Sequence, residues 1–157
     1  KMVAGLVRNL RREARDGRRA FPTPEAMAAE PLGFYKEVVR AGYRAENLHE
    51  LAPRVAAAEL DPESWLASDL PTDQLKRAMK KVKGVGDYAA ENLLKLVGRY
   101  DVLALDSWVR AQFARKRNKG RACEDKKIVR FYSRFDTWRG LALWCDMTQE
   151  WFESSRQ

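Results

Sequence analysis

Residues 81–98 read KVKGVGDYAAENLLKLVG, and the run LALDSWVR follows at residues 103–110. Upstream, Leu75, Met79 and Val82 lie on one face of a predicted helix. Ala90, Leu93, Leu94 and Val97 lie on one face of the next. Only residues 83–86, which hold two glycines, separate the two helical patterns. Two helices joined this tightly are predicted to form a hairpin.

Helical spacing dominates the rest of the chain, and no alternating run is long enough for a sheet strand. The predicted class is therefore all-α. Thr23 before Pro24 is a typical helix start, because threonine caps the helix and proline suits its first position. Asp106 is likewise placed to open a helix. The basic stretch 115–127 is predicted to be a loop, and the segment after it is rich in aromatic residues.

Composition indicates an intracellular protein, either cytoplasmic and nucleoid-associated or placed elsewhere in the cell. The 157 residues are sufficient for a core without disulfides, and no apolar run approaches membrane-spanning length. The two cysteines, Cys123 and Cys145, cannot supply the four ligands of an iron–sulfur cluster. We expect a monomer that has no membrane partner and no metal site built from side chains.

The net charge of +8, from 30 basic and 22 acidic residues, is concentrated in two segments. Such clusters indicate a polyanionic partner, although a solvated charged surface explains either one alone equally well. The first segment contains Arg8, Arg11, Arg12, Arg15, Arg18 and Arg19, and the second contains Arg110, Arg115, Lys116, Arg117, Lys119, Arg121, Lys126 and Lys127.

The turn Gly84-Val85-Gly86-Asp87 suits a phosphate, since glycine permits positive φ and close approach of the backbone, and the next helix points free N–H groups outward. Lys81 and Lys83 add complementary charge. Taken alone, the pattern is weak, because glycine is also the ordinary way to end one helix before another begins.

The two quoted stretches together closely resemble the helix-hairpin-helix-GPD superfamily of DNA glycosylases. The resemblance implies a two-lobed helical fold whose hairpin grips the DNA backbone. It also implies that an aspartate about twenty residues beyond the hairpin, here Asp106, is the catalytic carboxylate. A simple helix N-cap is the alternative role for Asp106, and the two roles are compatible.

The resemblance extends upstream to Thr23–Met27 and to Ala41–Leu48, which are similar to the endonuclease III and 8-oxoguanine glycosylase branches. It implies that Tyr43 wedges into the duplex beside a flipped base and that Arg44 contacts the orphaned partner. A buried aromatic at a helix start is an equally good interpretation of Tyr43. The DNA-binding residues predicted in this way are Lys81, Lys83, Gly84, Val85, Gly86, Asp87, Tyr43, Arg44 and Arg110.

Family members that also cut the strand carry a lysine two residues after the second glycine of the turn, and this chain has Tyr88 there. A tyrosine cannot form a Schiff base with the sugar. The resemblance therefore implies a monofunctional glycosylase, which releases the base with water and leaves an abasic site. The alternatives are a lyase that uses Lys81 or Lys83, a non-catalytic DNA-binding module, and a helical protein or RNA adaptor.

The base pocket is predicted to contain Tyr88, Leu143, Trp144 and Met147. Leu143 stands where the 8-oxoguanine branch has a polar base-reading residue, which argues against that substrate. Alkylated purines and uracil or thymine mismatches stay open. An aromatic stripe at helical spacing is also typical of ordinary core. No cofactor is expected beyond a monovalent cation held by the hairpin backbone.

We expect one glycosylase unit over residues 1–157, with a helical-barrel lobe at 20–105 that holds the hairpin at 75–97. Residues 106–157 and the N-terminal helix are expected to form the second lobe. The resemblance begins inside the family's domain. Two explanations are open: a shorter variant, or a further segment upstream of Lys1.

Overall fold

The computed structural model describes residues 1–10 and 19–153, and these residues are helical with no β-strand, which confirms the all-α prediction. Arg11, Arg12, Arg15 and Arg18 of the first basic segment lie outside the described residues. The α-helices are α1 Met2–Asn9, α2 Pro24–Ala28, α3 Ala45–Ala56, α4 Thr72–Met79, α5 Asp87–Leu96, α6 Ser107–Arg117, α7 Asp125–Tyr132 and α8 Arg139–Glu153. A π-helical turn at Phe34–Val38 and 3-10 turns at Gly42–Arg44, Pro62–Trp65 and Ser133–Trp138 join them.

The chain forms two compact units whose limits differ from those predicted. The first comprises Lys1–Ala67 with Val82–Gly84, and the second comprises Ser68–Lys81 with the chain from Val85 onward. The N-terminal helix belongs to the first unit rather than to the lobe after Asp106. The reason is its packing, because Leu6 of α1 is buried in the core of that unit.

The core of the first unit is small and centred on Tyr35. Leu6, Met27, Val39 and Ala45 are buried with it, and the Tyr35 hydroxyl donates a 2.5 Å hydrogen bond to the carbonyl of Met27. That bond satisfies the one polar atom of an otherwise apolar ring. The predicted N-cap of α2 is confirmed, since the Thr23 hydroxyl accepts a hydrogen bond from the Ala26 amide at 3.3 Å.

The second unit has an aromatic-rich core formed by α6, α7 and α8. Val109 and Phe113 of α6, Ile128 and Tyr132 of α7, and Leu143 and Met147 of α8 are buried together. The helices α4 and α5 pack against each other within the same unit, with Leu75, Met79, Ala90 and Leu94 buried. These buried faces are those that the apolar spacing predicted.

Gly140 holds in place the irregular segment that precedes Asp106. The Gly140 amide donates a 2.7 Å hydrogen bond to the carbonyl of Tyr100, and a Cβ at this position would collide with the carbonyls of Tyr100 and Val102. Only glycine allows α8 to lie this close to the backbone of the segment. The start of α8 therefore holds residues 100–102, a few residues before the carboxylate.

The predicted basic loop 115–127 is shorter in the structure. Helix α6 continues to Arg117 and α7 begins at Asp125, so the loop spans residues 118–124. Arg115, Lys116 and Arg117 thus lie in the last turn of a helix, where positive charge interacts favourably with the exposed carbonyl end of the helix dipole.

Candidate active site

Asp106 is the N-cap of α6. Its backbone is extended, and Oδ1 accepts a 2.7 Å hydrogen bond from the Val109 amide. The carboxylate is partly buried and lies at the positive end of the helix, which stabilises its charge. The capping role expected for Asp106 is confirmed. The cap also fixes the direction of the carboxylate, as a reacting group requires.

The Asp106 carboxylate lines a cavity of about 200 Å³ within the second unit. Helix α5 contributes Tyr88, Asn92 and Lys95 to its wall, and Trp144 of α8 is also part of it. A second depression of about 400 Å³ shares Asn92, Lys95 and Trp144. A carboxylate, an aromatic ring and an amine therefore surround one concave space.

The polar stripe on α5 was missed in the sequence. Tyr88, Asn92 and Lys95 are spaced four and three residues apart, so they share one face of the helix. This face is separate from the apolar one that packs in the core. The signal was present in the sequence, as three polar residues at helical spacing.

Charges interact within the cavity. Burial lowers the pKa of Lys95, whereas the carboxylates of Asp106 and Glu91 act in the opposite direction and favour the charged ammonium. The ammonium lies 4.9 Å from the centre of the Trp144 ring, which is within cation–π range. Burial also raises the pKa of the Tyr88 phenol, and its interaction with Asp106 raises it further. The Asp106 carboxylate thus acts on the pKa of both Tyr88 and Lys95.

The structure divides the four predicted base-pocket residues. Tyr88 and Trp144 line the cavity, and Trp144 packs beside Trp108 and Trp151. Leu143 and Met147 are instead almost fully buried in the core of the second unit, and they do not line the cavity. Residues 143 and 147 are one helical turn apart on the inner face of α8. Trp144 lies on the adjacent face, and this residue forms part of the cavity wall.

The two glycines of the hairpin turn have different conformations. Gly84 adopts a φ of +86°, and a Cβ there would collide with the side chain of Asn47 in the same unit. Gly86 is extended, caps α5, and has open space where a Cβ would stand. Of the two glycines, only Gly84 therefore has the expected positive φ. At Gly86 the open space allows a ligand to approach the backbone closely.

Several predicted DNA contacts already have partners within the protein. Lys83 pairs with Glu50 at 2.5 Å, Asp87 pairs with Lys80 at 3.0 Å, and Arg110 makes two hydrogen bonds to Asp125 at 2.8 and 2.9 Å. Further pairs join Arg115 to Glu150, and Arg117 to Asp146. Much of the second basic segment is thus compensated locally, whereas Lys81 and the amides around Val85 lie in the exposed turn.

Tyr43 is exposed, not buried. Its side chain is 77% accessible, and the guanidinium of Arg44 lies 4.4 Å from the centre of its ring. Both residues belong to the 3-10 turn Gly42–Arg44, in which Gly42 has a positive φ. The alternative of a buried helix-start aromatic is therefore wrong. An exposed aromatic ring stacked on a cation is suited to contact with nucleic-acid bases.

Comparison with solved structures shows the same architecture in DNA glycosylases. The chain is similar to MBOgg1 in complex with a low-affinity DNA ligand, with a TM-score of 0.76, 21% identity and coverage of 94% of this chain and 51% of that one. The chain has the DNA glycosylase fold. A Clostridium acetobutylicum 8-oxoguanine glycosylase/lyase in complex with double-stranded DNA matches with a TM-score of 0.74 and 22% identity, over 96% of this chain and 53% of that one.

A 3-methyladenine DNA-glycosylase from Archaeoglobus fulgidus has the same fold, with a TM-score of 0.71 and 23% identity over 97% of this chain and 52% of that one. The chain spans about half the length of each of these structures. By sequence, no protein-family profile matches the chain and no curated protein is detectably similar to it. None of the helices in the described residues is both long and apolar enough to cross a membrane.

Proposed function

We propose that the protein is a DNA glycosylase that hydrolyses the bond between a flipped base and its deoxyribose. The observation that supports this most directly is the position of the Asp106 carboxylate, which caps α6 and lies in the wall of a concave, aromatic-lined cavity. Breaking the glycosidic bond develops positive charge on the sugar, and a fixed carboxylate in a partly dry site stabilises that charge. The same carboxylate accepts a proton from the attacking water.

The substrate must be extruded from the duplex, because the reacting sugar carbon is hidden in a stacked helix. In this proposal the turn at Lys81–Asp87 binds backbone phosphate through amide groups at the start of α5. Tyr43 and Arg44 stack against bases that extrusion leaves unpaired. The partner is double-stranded DNA that contains a damaged or mismatched base, and the protein acts as a monomer.

Tyr88 stands where strand-cutting relatives have lysine, so we propose that water is the nucleophile and that the product is an intact abasic site. We also propose that main-chain carbonyls of the hairpin hold a monovalent cation. Residues 1–10 and 19–153 contain no cluster of acidic, histidine or cysteine side chains suited to a metal. Dependence of DNA affinity on potassium tests that expectation.

The test is base excision on duplexes that each carry one altered base: uracil or thymine opposite guanine, hypoxanthine, 7-methylguanine or 8-oxoguanine. Abasic sites are scored by strand cleavage after alkali. We expect excision of at least one of these bases and no cleavage without alkali. Tight binding of every duplex with no excision would contradict the proposal and favour a non-catalytic DNA-binding protein in which Asp106 is only a helix cap.

A further inference from the structure

Lys95 has no role in the function proposed so far, yet it is part of the wall of the site. It lines both the cavity of Asp106 and the adjoining depression. Its ammonium is held over the Trp144 ring, on the same helical face as Tyr88 and Asn92. A half-buried lysine is costly unless its charge is used or compensated, and such groups are frequent at functional sites.

Lys95 and Asp106 belong to different helices, so the base and the sugar of the substrate can each meet a side chain of different charge. Asp106 caps α6, whereas Lys95 is two helical turns beyond Tyr88 on α5 and adjoins the aromatic wall. A base that stacks on Trp144 meets the ammonium, while its sugar requires the carboxylate. Breaking the glycosidic bond places positive charge on the sugar. If the base is uncharged in DNA, it also places negative charge on the departing base.

We infer that Lys95 contacts the departing base and stabilises its negative charge, so that the site takes bases that are uncharged in DNA, such as uracil, thymine or hypoxanthine, and rejects cationic alkylated purines. This inference rests on the proposed glycosylase function. It deepens that function by choosing between the two substrate classes that the sequence left open.

The step balances as a hydrolysis. The bond between C1′ and the base nitrogen breaks, and its electron pair leaves with the base. Water adds to C1′ and gives a proton to Asp106, while the base anion takes a proton from Lys95. Exchange with solvent returns both side chains to their starting states. A cationic purine leaves as a neutral base, so it gains nothing from the ammonium and is repelled by it in the ground state.

The experiment measures single-turnover excision of uracil, 5-fluorouracil, hypoxanthine and 7-methylguanine by the wild type, Lys95→Met and Lys95→Arg. Fluorine makes uracil a better leaving group, which reduces its need for help. We expect Lys95→Met to lower the rate by about 100-fold for uracil and by about 10-fold for 5-fluorouracil. Lys95→Arg should recover part of the rate, and the wild type should favour hypoxanthine over 7-methylguanine.

Lys36→Met is the matched control, because Lys36 has no assigned role in binding or catalysis and forms an exposed ion pair with Glu46, and such pairs contribute little to stability. Equal losses on uracil and 5-fluorouracil would overturn the inference, since they indicate a structural role. Preference of the wild type for 7-methylguanine would also overturn it. So would a borohydride-trapped DNA adduct on Lys95, because a nucleophilic amine is a different role.

The two proposals fail in different ways. If the wild type excises neither these four bases nor thymine or 8-oxoguanine, the glycosylase function fails, and the inference on Lys95 fails with it. If excision proceeds normally but leaving-group dependence is unchanged in Lys95→Met, only the inference fails. Circular dichroism of each variant shows whether Lys95→Met is folded, and the preference of the wild type among bases needs no variant at all.

Discussion

The cavity brings together three side chains of different chemistry: the carboxylate of Asp106, the phenol of Tyr88 and the ammonium of Lys95. Asp106 was predictable because a cap and its helix are local features of a few residues. Lys95 was not identified, because a lysine on a helix is most often a solvated surface residue and its burial depends on α8. Leu143 and Met147 were assigned to the pocket because apolar spacing alone does not tell a core face from a cavity wall.

Tyr88 gives a direct prediction about the choice between water and amine chemistry. Tyr88→Lys places an amine in the cavity beside Asp106, at the position where the family resemblance puts the nucleophilic lysine. We expect this variant to form a borohydride-stable complex with DNA that contains a preformed abasic site, whereas the wild type does not. Gel electrophoresis of the trapped complex measures this. A wild type that traps as well as the variant would show that another lysine already acts as nucleophile.

At the element scale, the helices that carry the site were predictable from apolar spacing, caps and turn residues, all of which act within one or two turns. The limits of the two compact units were not predictable, because they depend on which side chains, distant in the sequence, bury Leu6 and Tyr35. The length of α6 was underestimated for a similar reason. Its basic last turn is stabilised by pairs to Glu150 and Asp146, about thirty residues away in the chain.

The hairpin turn should respond differently to alanine at its two glycines. Gly84→Ala must adopt a positive φ and displace Asn47, so we expect a loss of about 1–3 kcal/mol in unfolding free energy. Gly86→Ala is extended and open, and it should cost clearly less. Adding Asn47→Ala should recover only the part of the Gly84→Ala loss that comes from the collision. Urea denaturation measures all four proteins, and equal losses at both glycines would contradict this account of the turn.

The contact of α6 with α7 and α8 includes Asp146, which accepts hydrogen bonds from Arg117 at 2.6 and 2.9 Å and from the Tyr132 hydroxyl at 2.6 Å. Burial alone would raise the pKa of Asp146, but these bonds outweigh it and the pKa is lowered. A lowered pKa in the folded state means stabilisation that is present above the unfolded pKa of about 3.9 and is lost as pH falls through the folded value.

We therefore expect Asp146→Asn to lower the unfolding free energy by about 1–3 kcal/mol at pH 7, with the difference from wild type shrinking below about pH 4. Melting temperatures from pH 7 to pH 2 measure it. Asp73→Asn is the control, because the Asp73–Arg77 pair is exposed and should contribute little. A difference that stays constant down to pH 2 would show that charge on Asp146 is not the source.

At the scale of the whole molecule, fewer of the 30 basic side chains are available to DNA than their number implies, since several are paired with carboxylates. The turn lysine Lys81 is exposed, and we expect Lys81→Ala to weaken binding to damaged and undamaged duplexes equally. The slope of log affinity against log salt should fall by about 1. Lys36→Ala should leave the slope unchanged. Fluorescence anisotropy at several salt concentrations measures both, and a slope unaffected by Lys81→Ala would remove this residue from the interface.

We propose that the Asp106 carboxylate stabilises the charge on the sugar and activates water, and the variant Asp106→Asn separates this role from helix capping. Asparagine caps a helix as well as aspartate does, so the variant removes the charge while it keeps the start of α6. Asp106→Ala removes both, and should cost about 1 kcal/mol more in stability. We expect Asp106→Asn to melt near the wild-type temperature and to lose about 1,000-fold in single-turnover excision of the preferred base. Excision at the wild-type rate by a folded Asp106→Asn protein would exclude a catalytic role for this carboxylate.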